Sequence, residues 1–231
     1  MTTSEFTGFP RGAVEFLVGL TANNNKPWFE AHRHDYEEYL LGPSRAFAAA
    51  MAERLTAISP PELAPIAGSP FRIYRDVRFS KDKTPYKTHL GIAFGSPGAP
   101  KGESPGYYFH LDPPRLMIGA GMHAFPKPFL ELYREAVVDD MSGEKLESTL
   151  HQVSEAGMEV WGESYKRVPR GYDAAHPRAD LLRYSGLFAA SNEELPEALH
   201  SVALLDYCVE RYATMVPVLT WLLDVAEKAA A

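Results

Sequence analysis

The sequence predicts an α+β fold, in which an antiparallel sheet of four to five strands is packed on one face by N- and C-terminal helices. Two observations lead to this prediction. Segments within 71–123 alternate apolar and polar residues, as strands do, whereas the flanking segments repeat apolar residues at helical spacing. The strand-like segments also follow one another without helices between them, which favours antiparallel pairing. We expect one domain over 1–231, with N-terminal helices at 10–58, the sheet at 71–123 and a C-terminal helical part at 126–229.

Composition narrows the class of protein. The chain has 231 residues, of which 45% are hydrophobic, enough for a substantial core. A net charge of -7 argues against a nucleic-acid-binding protein. The first residues lack the pattern of a signal peptide, and the apolar stretch 212–223 is too short to span a bilayer, so we expect a soluble, cytoplasmic protein without membrane partners. The composition does not predict an oligomeric state.

The N-terminal part is predicted to contain three helices. Pro10 suits the first position of a helix, because its missing N–H is not needed there. Three asparagines at 23–25 end that helix, and a second begins at Pro27. Gly42 and Pro43 are expected to end the second helix and begin the third.

Residues 71–79 are expected to form the first strand of the sheet. The residues expected on its apolar side are Phe71, Ile73, Val77 and Phe79. Arg75 falls on that same side, where a guanidinium needs an acid, carbonyl groups or an anion. We therefore expect Arg75 to be buried and paired with an acid of the second helix or with carbonyls at a helix end.

Three further strands are expected to continue the sheet. The first lies at 90–94, and a loop with four glycines and three prolines follows at 95–106. Strands at 107–111 and 116–122 then flank Pro113-Pro114. A two-residue turn there would pair Asp112 with Arg115, His110 with Met117, and Tyr108 with Gly119.

One face of the predicted sheet is polar and rich in glycine. Its polar residues are Arg72, Tyr74, Asp76, Arg78, His89, Tyr108, His110, Arg115 and His123, above a floor of Gly91, Gly95, Gly119 and Gly121. Glycine within a strand often marks the close approach of a ligand or another backbone. We expect a concave, partly covered face, with a covering helix as the alternative explanation of the glycines.

The C-terminal part is predicted to be mainly helical. Helices are expected to begin at Pro126 and near Ser142, followed by a helix at 177–184 and a short strand at 186–190. A long amphipathic helix closes the chain. Cys208 lies on its apolar pattern, which suits a buried, inert thiol better than a nucleophile.

A basic segment at 72–89 indicates an anion-binding site. Between Arg72 and Lys87 the chain has six basic and two acidic residues, a local charge of +4 in an acidic protein. The candidate ligand-binding residues are Arg72, Arg78, Lys81, Lys83, Lys87, Tyr108, Arg115 and His123. They suit a small phosphorylated or carboxylated ligand. Two alternatives remain open: a solvated loop that pairs with acids of the chain, and a non-enzymatic interaction protein whose basic segment docks an acidic partner.

The sequence leaves open whether the protein is an enzyme. Any hydrolase or transferase chemistry would use His110 or His89 as general acid–base, oriented by Asp76 or Asp112. Phosphate-loop, GxSxG and HExxH motifs are absent from the sequence. We expect no cofactor; the alternative is a divalent metal ion bound by His89, His110, Asp112 and His123.

Several of these stretches together resemble one protein family. They are GFPRGAVEFL, NNNKPWFEAHRHDYEEYL, FRIYRDVRFSKDKTPYKTH, YYFHLDP, LMIGAGMH and YKRVPRGYDAAHP. The string RDVRFSKDKTPYKTH is long and unusual, and the chain resembles the bacterial and fungal family known as domain of unknown function 2461. The resemblance covers most of the chain and implies a single domain. It implies no catalytic residue and no cofactor.

Overall fold

The computed structural model describes residues 5–227 and has an α+β fold. Its centre is an open antiparallel sheet of six strands in the order β1-β2-β3-β4-β6-β5. The strands are β1 (Ala67–Pro70), β2 (Leu90–Gly95), β3 (Gly106–Asp112), β4 (Arg115–Met122), β5 (Glu159–Glu163) and β6 (Tyr184–Glu194). The prediction of four to five strands within 71–123 was too low, because β1 precedes that range and the C-terminal part adds β5 and β6.

Along the chain, helices lie before β1, between β4 and β5, and after β6. They are α1 (Arg11–Ala22), α2 (Lys26–Ala31), α3 (Arg33–Asp35), α4 (Gly42–Ile58), α5 (Lys127–Val138), α6 (Asp140–Glu155) and α7 (Leu204–Glu227). A π-helical segment, Tyr36–Leu41, joins α3 to α4, so the predicted break at Gly42 and Pro43 is wrong. Pro43 has no backbone N–H to donate, and the segment before it is π-helical, with the Gly42 N–H bonded to Glu37 O five residues earlier.

The hydrophobic core lies between the helices and one face of the sheet. Phe109 of β3 is fully buried there, with its ring 4.7 Å from that of Phe47 on α4. On α7, the Tyr212 ring lies 5.1 Å from the Tyr107 ring. Alternate residues of each central strand point to this core, so the intervening residues form the opposite face.

The predicted hairpin at Pro113-Pro114 is confirmed. Asp112 is opposite Arg115, His110 is opposite Met117, and Tyr108 is opposite Gly119. The register of β2 continues the pattern, because Gly91 is opposite His110. These pairings bring the polar residues of β3 and β4 onto the face away from the helices.

The predicted strand at 71–79 is wrong. After β1, residues 71–89 form an irregular loop that doubles back on itself: Arg75 N donates to Pro85 O at 2.9 Å, and Lys87 N donates to Ile73 O at 2.7 Å. Asp76 and Asp82 each accept a backbone N–H two residues ahead, the local turn chemistry that competes with a strand. Phe79, expected in the core, is 96% exposed.

Arg75 is consequently not a buried core residue. Its side chain is 27% exposed and lies 2.5 Å from Asp82, within the same loop. It also donates to the hydroxyl group of Thr84. The expected partners on the second helix do not form this ion pair; Glu30, for example, pairs with Arg33.

The C-terminal part contains more strand than expected. The predicted helix at 177–184 reduces to one 3₁₀ turn, Leu181–Arg183, and the short strand at 186–190 is part of the longer β6. Helix α7 ends at Glu227 among the described residues, and the rest of the predicted range to 229 lies outside them. Within 5–227, no helix is long and apolar enough to cross a membrane.

Candidate functional site

A cavity of about 470 Å³ lies on the sheet face opposite the helices. Tyr108, His110 and Met117 form part of its floor, and Phe188 and Trp161 continue it across β6 and β5. We call residues 96–105, the connection between β2 and β3, the Gly–Pro loop; this loop forms the opposite wall. The face is therefore concave and partly covered, with a loop as its cover.

The glycines on this face make room for aromatic side chains. A Cβ atom at Gly91 would overlap the hydroxyl oxygen of Tyr108, and one at Gly119 would overlap the ring of Phe188. Gly121 has a φ of +144°, a backbone conformation that other residues rarely adopt. The glycine floor thus allows the rings of Tyr108 and Phe188 to lie close to the strands. The sequence had suggested instead the close approach of a ligand or of a covering helix.

Two lysines meet at one end of the cavity. Lys87 Nζ lies 5.1 Å and Lys101 Nζ 4.8 Å from the centre of the Phe71 ring, which lines the cavity. Lys101 also donates to Ser69 Oγ at 2.8 Å. Burial lowers the pKa of Lys87, and the charges of Arg72 and Lys101 lower it further. Among residues 5–227, neither ammonium group lies within 4.0 Å of a carboxylate oxygen.

His89, His110 and Asp112 form a histidine–aspartate cluster on the same face of the sheet as the cavity. The rings of His89 and His110 are 4.4 Å apart, and His110 Nε2 lies 4.0 Å from Asp112 Oδ2. Burial lowers the pKa of His89 to about 4, with a smaller contribution from His110. Burial also lowers the pKa of His110, which Asp112 partly offsets. Both imidazoles are therefore neutral at pH 7.

Tyr108 fixes the orientation of His110. The Tyr108 hydroxyl lies 3.1 Å from His110 Nδ1, a hydrogen bond between residues two apart on β3. Burial raises the pKa of Tyr108, so its hydroxyl stays protonated at neutral pH. His110 is thus held by one ring nitrogen and leaves the other free toward Asp112.

The structure brings together some of the predicted site residues. Tyr108, His110 and His123 line the cavity, and Lys87 lies against its Phe71 wall. His89 lies beside His110.

Other predicted residues lie outside the cavity lining. Arg78 pairs with Asp76 at 2.6 Å. Asp76, expected to orient a histidine, does not belong to the group formed by His89 and His110 with Asp112. Lys83 donates to a backbone carbonyl of its own loop. Arg115 is turned toward Asn192. Arg72 and Lys81 are exposed, although the charge of Arg72 still acts on Lys87.

Several cavity residues were missed in the sequence. Lys101, the only cation in 95–106, lies in the predicted Gly- and Pro-rich loop and is absent from the predicted site. Phe71 was assigned to the core, and Trp161 and Phe188 belong to strands whose pairing is non-local. The sequence signal that could have indicated Lys101 is a lone lysine in a Gly- and Pro-rich loop that follows a strand of the polar sheet face.

Most of the chain matches one known protein family. A family model described as "Conserved hypothetical protein (DUF2461)" matches residues 12–221. No curated protein matches the chain. The matched range contains the sheet, the Gly–Pro loop and every residue of the site described above.

Proposed function

The chain belongs to the DUF2461 family of conserved hypothetical proteins, and we propose that it binds a small anionic ligand, carboxylated or phosphorylated, in the cavity beneath the Gly–Pro loop. The observation that carries the proposal is the pair of lysines at Phe71. Lys87 and Lys101 approach the same ring at 5.1 and 4.8 Å without a carboxylate partner among the described residues.

The electrostatics favour an anion at this position. Two ammonium groups that share one ring repel each other, and the nearby charge of Arg72 adds to the repulsion. Contact with the Phe71 face compensates only part of that cost. In a chain of net charge -7, an acid could readily have supplied the counter-charge, yet within 5–227 no carboxylate oxygen lies within 4.0 Å of either ammonium group. A carboxylate or phosphate would supply it.

The shape and lining of the cavity describe the rest of the ligand. A volume of about 470 Å³ suits a small organic molecule. The walls away from the lysines are largely aromatic and apolar, from Tyr108, Met117, Trp161 and Phe188. The proposed ligand therefore has a flat or apolar body and one anionic group. The proposal concerns binding and assigns no reaction.

A second function rests on a different feature, the tip of the loop 71–89. Phe79 is 96% exposed there, with the Arg78 guanidinium 5.8 Å from its ring. An exposed aromatic residue among lysines is suited to docking an acidic partner protein. However, Asp76 and Asp82 already neutralise Arg78 and Arg75, which leaves less free positive charge than the sequence suggested.

A thermal-shift screen with small anions tests the first function. Small aromatic and aliphatic carboxylates and phosphomonoesters should raise the melting temperature of the wild type, because a ligand of the folded state stabilises it. The double variant Lys87→Met, Lys101→Met should lose these shifts. The matched control, Lys81→Met with Lys83→Met, removes the same charge from the same region and should keep them. Shifts that survive in the Lys87→Met, Lys101→Met variant would overturn the proposal.

A further inference from the structure

We propose that His89, His110 and Asp112 form a binding site for a divalent transition-metal ion of the zinc, iron(II) or manganese class. One ligand atom from each residue can be chosen so that all three lie within 4.8 Å of one another. Two imidazoles and one carboxylate suit these ions, whereas magnesium and calcium prefer oxygen ligands alone. His123, the fourth residue considered in the sequence, is outside this group.

The sheet register creates the cluster. Leu90 is opposite Leu111, so His89, one residue earlier, falls opposite Asp112. His110 is two residues before Asp112 on β3 and therefore projects from the same face. The three side chains converge because strand pairing places them there, and two of them come from one rigid strand.

The distances require only a small closure around an ion. Ligand atoms that each lie about 2.0–2.2 Å from one ion are roughly 3–3.6 Å apart. His110 Nε2 and Asp112 Oδ2 are 4.0 Å apart, and all three ligand atoms lie within 4.8 Å of one another, so closure needs shifts of less than about 2 Å. The Asp112 side chain is 52% exposed and has room to make that movement.

The neighbouring residues leave the ligand atoms available. Tyr108 occupies His110 Nδ1, the arrangement in which a metal-binding histidine is held by its other nitrogen. Arg115 is opposite Asp112 in the hairpin, yet its guanidinium is turned to Asn192 and does not neutralise the carboxylate. Among residues 5–227, the half-buried His89 side chain has no hydrogen-bond partner. A bound ion would provide a partner for its ring nitrogen.

The cluster also adjoins the cavity through His110, which belongs to both. Three protein ligands leave further coordination positions unfilled. The anionic group of a cavity ligand could occupy one of them; this last step rests on the proposed function, whereas the metal site itself does not.

Equilibrium dialysis of the full chain against Zn²⁺, and separately Mn²⁺, followed by elemental analysis, tests the site without any organic ligand. The wild type should bind one equivalent of at least one of these ions. Asp112→Asn and His89→Ala should abolish that binding, and Tyr108→Phe should weaken it by about 10- to 100-fold, as expected when an outer-shell partner is lost. Circular dichroism melting would establish that each variant is folded; Asp112→Asn preserves side-chain size at a half-exposed position.

Two controls make the result decisive. His34→Ala removes a histidine from an exposed pair with Glu38 on the surface, and it should bind the ion as the wild type does. The Lys87→Met, Lys101→Met variant should also retain the ion, so failure of the anion proposal is distinguishable from failure of this one. If the wild type binds neither Zn²⁺ nor Mn²⁺ stoichiometrically, the metal site is overturned. Binding that persists in both Asp112→Asn and His89→Ala would do the same.

Discussion

Tyr108 lies across Gly91, close enough that a Cβ atom at position 91 would overlap the tyrosine hydroxyl. The two residues are on adjacent strands, and the missing side chain of Gly91 allows the tyrosine to lie near the sheet. From that position the Tyr108 hydroxyl reaches His110 Nδ1 at 3.1 Å. One glycine on β2 therefore supports both the cavity floor and the orientation of a histidine on β3.

Gly91→Ala should displace Tyr108 and break its hydrogen bond with His110. We expect a loss of about 1–3 kcal/mol in the free energy of unfolding, the usual cost of inserting a methyl group where no space exists. Urea denaturation measures it. Gly95→Ala is the matched control on the same strand, because its Cβ would meet only Pro105 O at an ordinary 3.6 Å. Equal stabilities of the two variants would contradict the packing described for Tyr108.

Arg178, and not Arg75, is a buried arginine of this protein. It is 7% exposed; its Nε donates to Val137 O at 2.7 Å and its guanidinium lies 3.3 Å from Glu147. Gly143 makes room for it, because a Cβ there would overlap the guanidinium. The side chain thus joins the end of α5 to α6.

Arg178→Ala should lower the free energy of unfolding by about 3–5 kcal/mol, because it removes the side-chain donor to the buried Val137 carbonyl and leaves Glu147 without a partner. Chemical denaturation would measure the change. Arg167→Ala, an exposed arginine earlier in the same connection, should have little effect. A similar small loss for both would mean that Arg178 contributes no more than a surface residue.

Arg75→Ala should be mild by comparison. The side chain is partly exposed and pairs with Asp82 and Thr84 inside a surface loop, where ion pairs contribute little to stability. We expect the melting temperature to fall by no more than about 3 °C. A drop as large as that of Arg178→Ala would show that Arg75 is buried after all, as the alternation in the sequence had predicted.

Glu193 should contribute to acid sensitivity. A hydrogen bond from Arg211 lowers its pKa, and a second from Tyr207 acts in the same direction. Since the folded-state pKa is below the unfolded-state value, the stabilisation is present above the unfolded pKa and is lost as the pH falls through the folded one. The melting-temperature difference between wild type and Glu193→Gln should therefore shrink from about pH 6 to about pH 3. A constant difference over that range would exclude a depressed pKa for Glu193.

The hairpin and its polar face could be predicted because their signals are local. Alternation fixes which face each residue of β3 and β4 occupies, and Pro113-Pro114 fixes their register. These two facts also predicted that Tyr108, His110 and Asp112 share a face. The expected grouping of His89 with His110 and Asp112 followed from the same alternation.

The remainder depended on information that alternation does not contain. Residues 71–79 alternate like a strand, but β1 already occupies the edge of β2, and Asp76 and Asp82 favour turns. The cavity wall requires β5 and β6 to join the far side of β4, a pairing between distant segments. Lys101 reaches Phe71 only because the Gly–Pro loop folds over the sheet, a path that a glycine- and proline-rich sequence leaves unspecified.

The most direct test of anion binding compares two fluorescent probes of similar shape. One is 8-anilinonaphthalene-1-sulfonate, and the other is the neutral N-phenyl-1-naphthylamine, which lacks the sulfonate. Lys87→Met with Lys101→Met should weaken binding of the sulfonate by about tenfold or more, since charge-assisted contacts of roughly 1.5–3 kcal/mol are lost. The neutral probe should bind both proteins alike, and Lys81→Met with Lys83→Met should leave both affinities unchanged. Equal changes for the two probes in the Lys87 and Lys101 variant would contradict an anion site at Phe71.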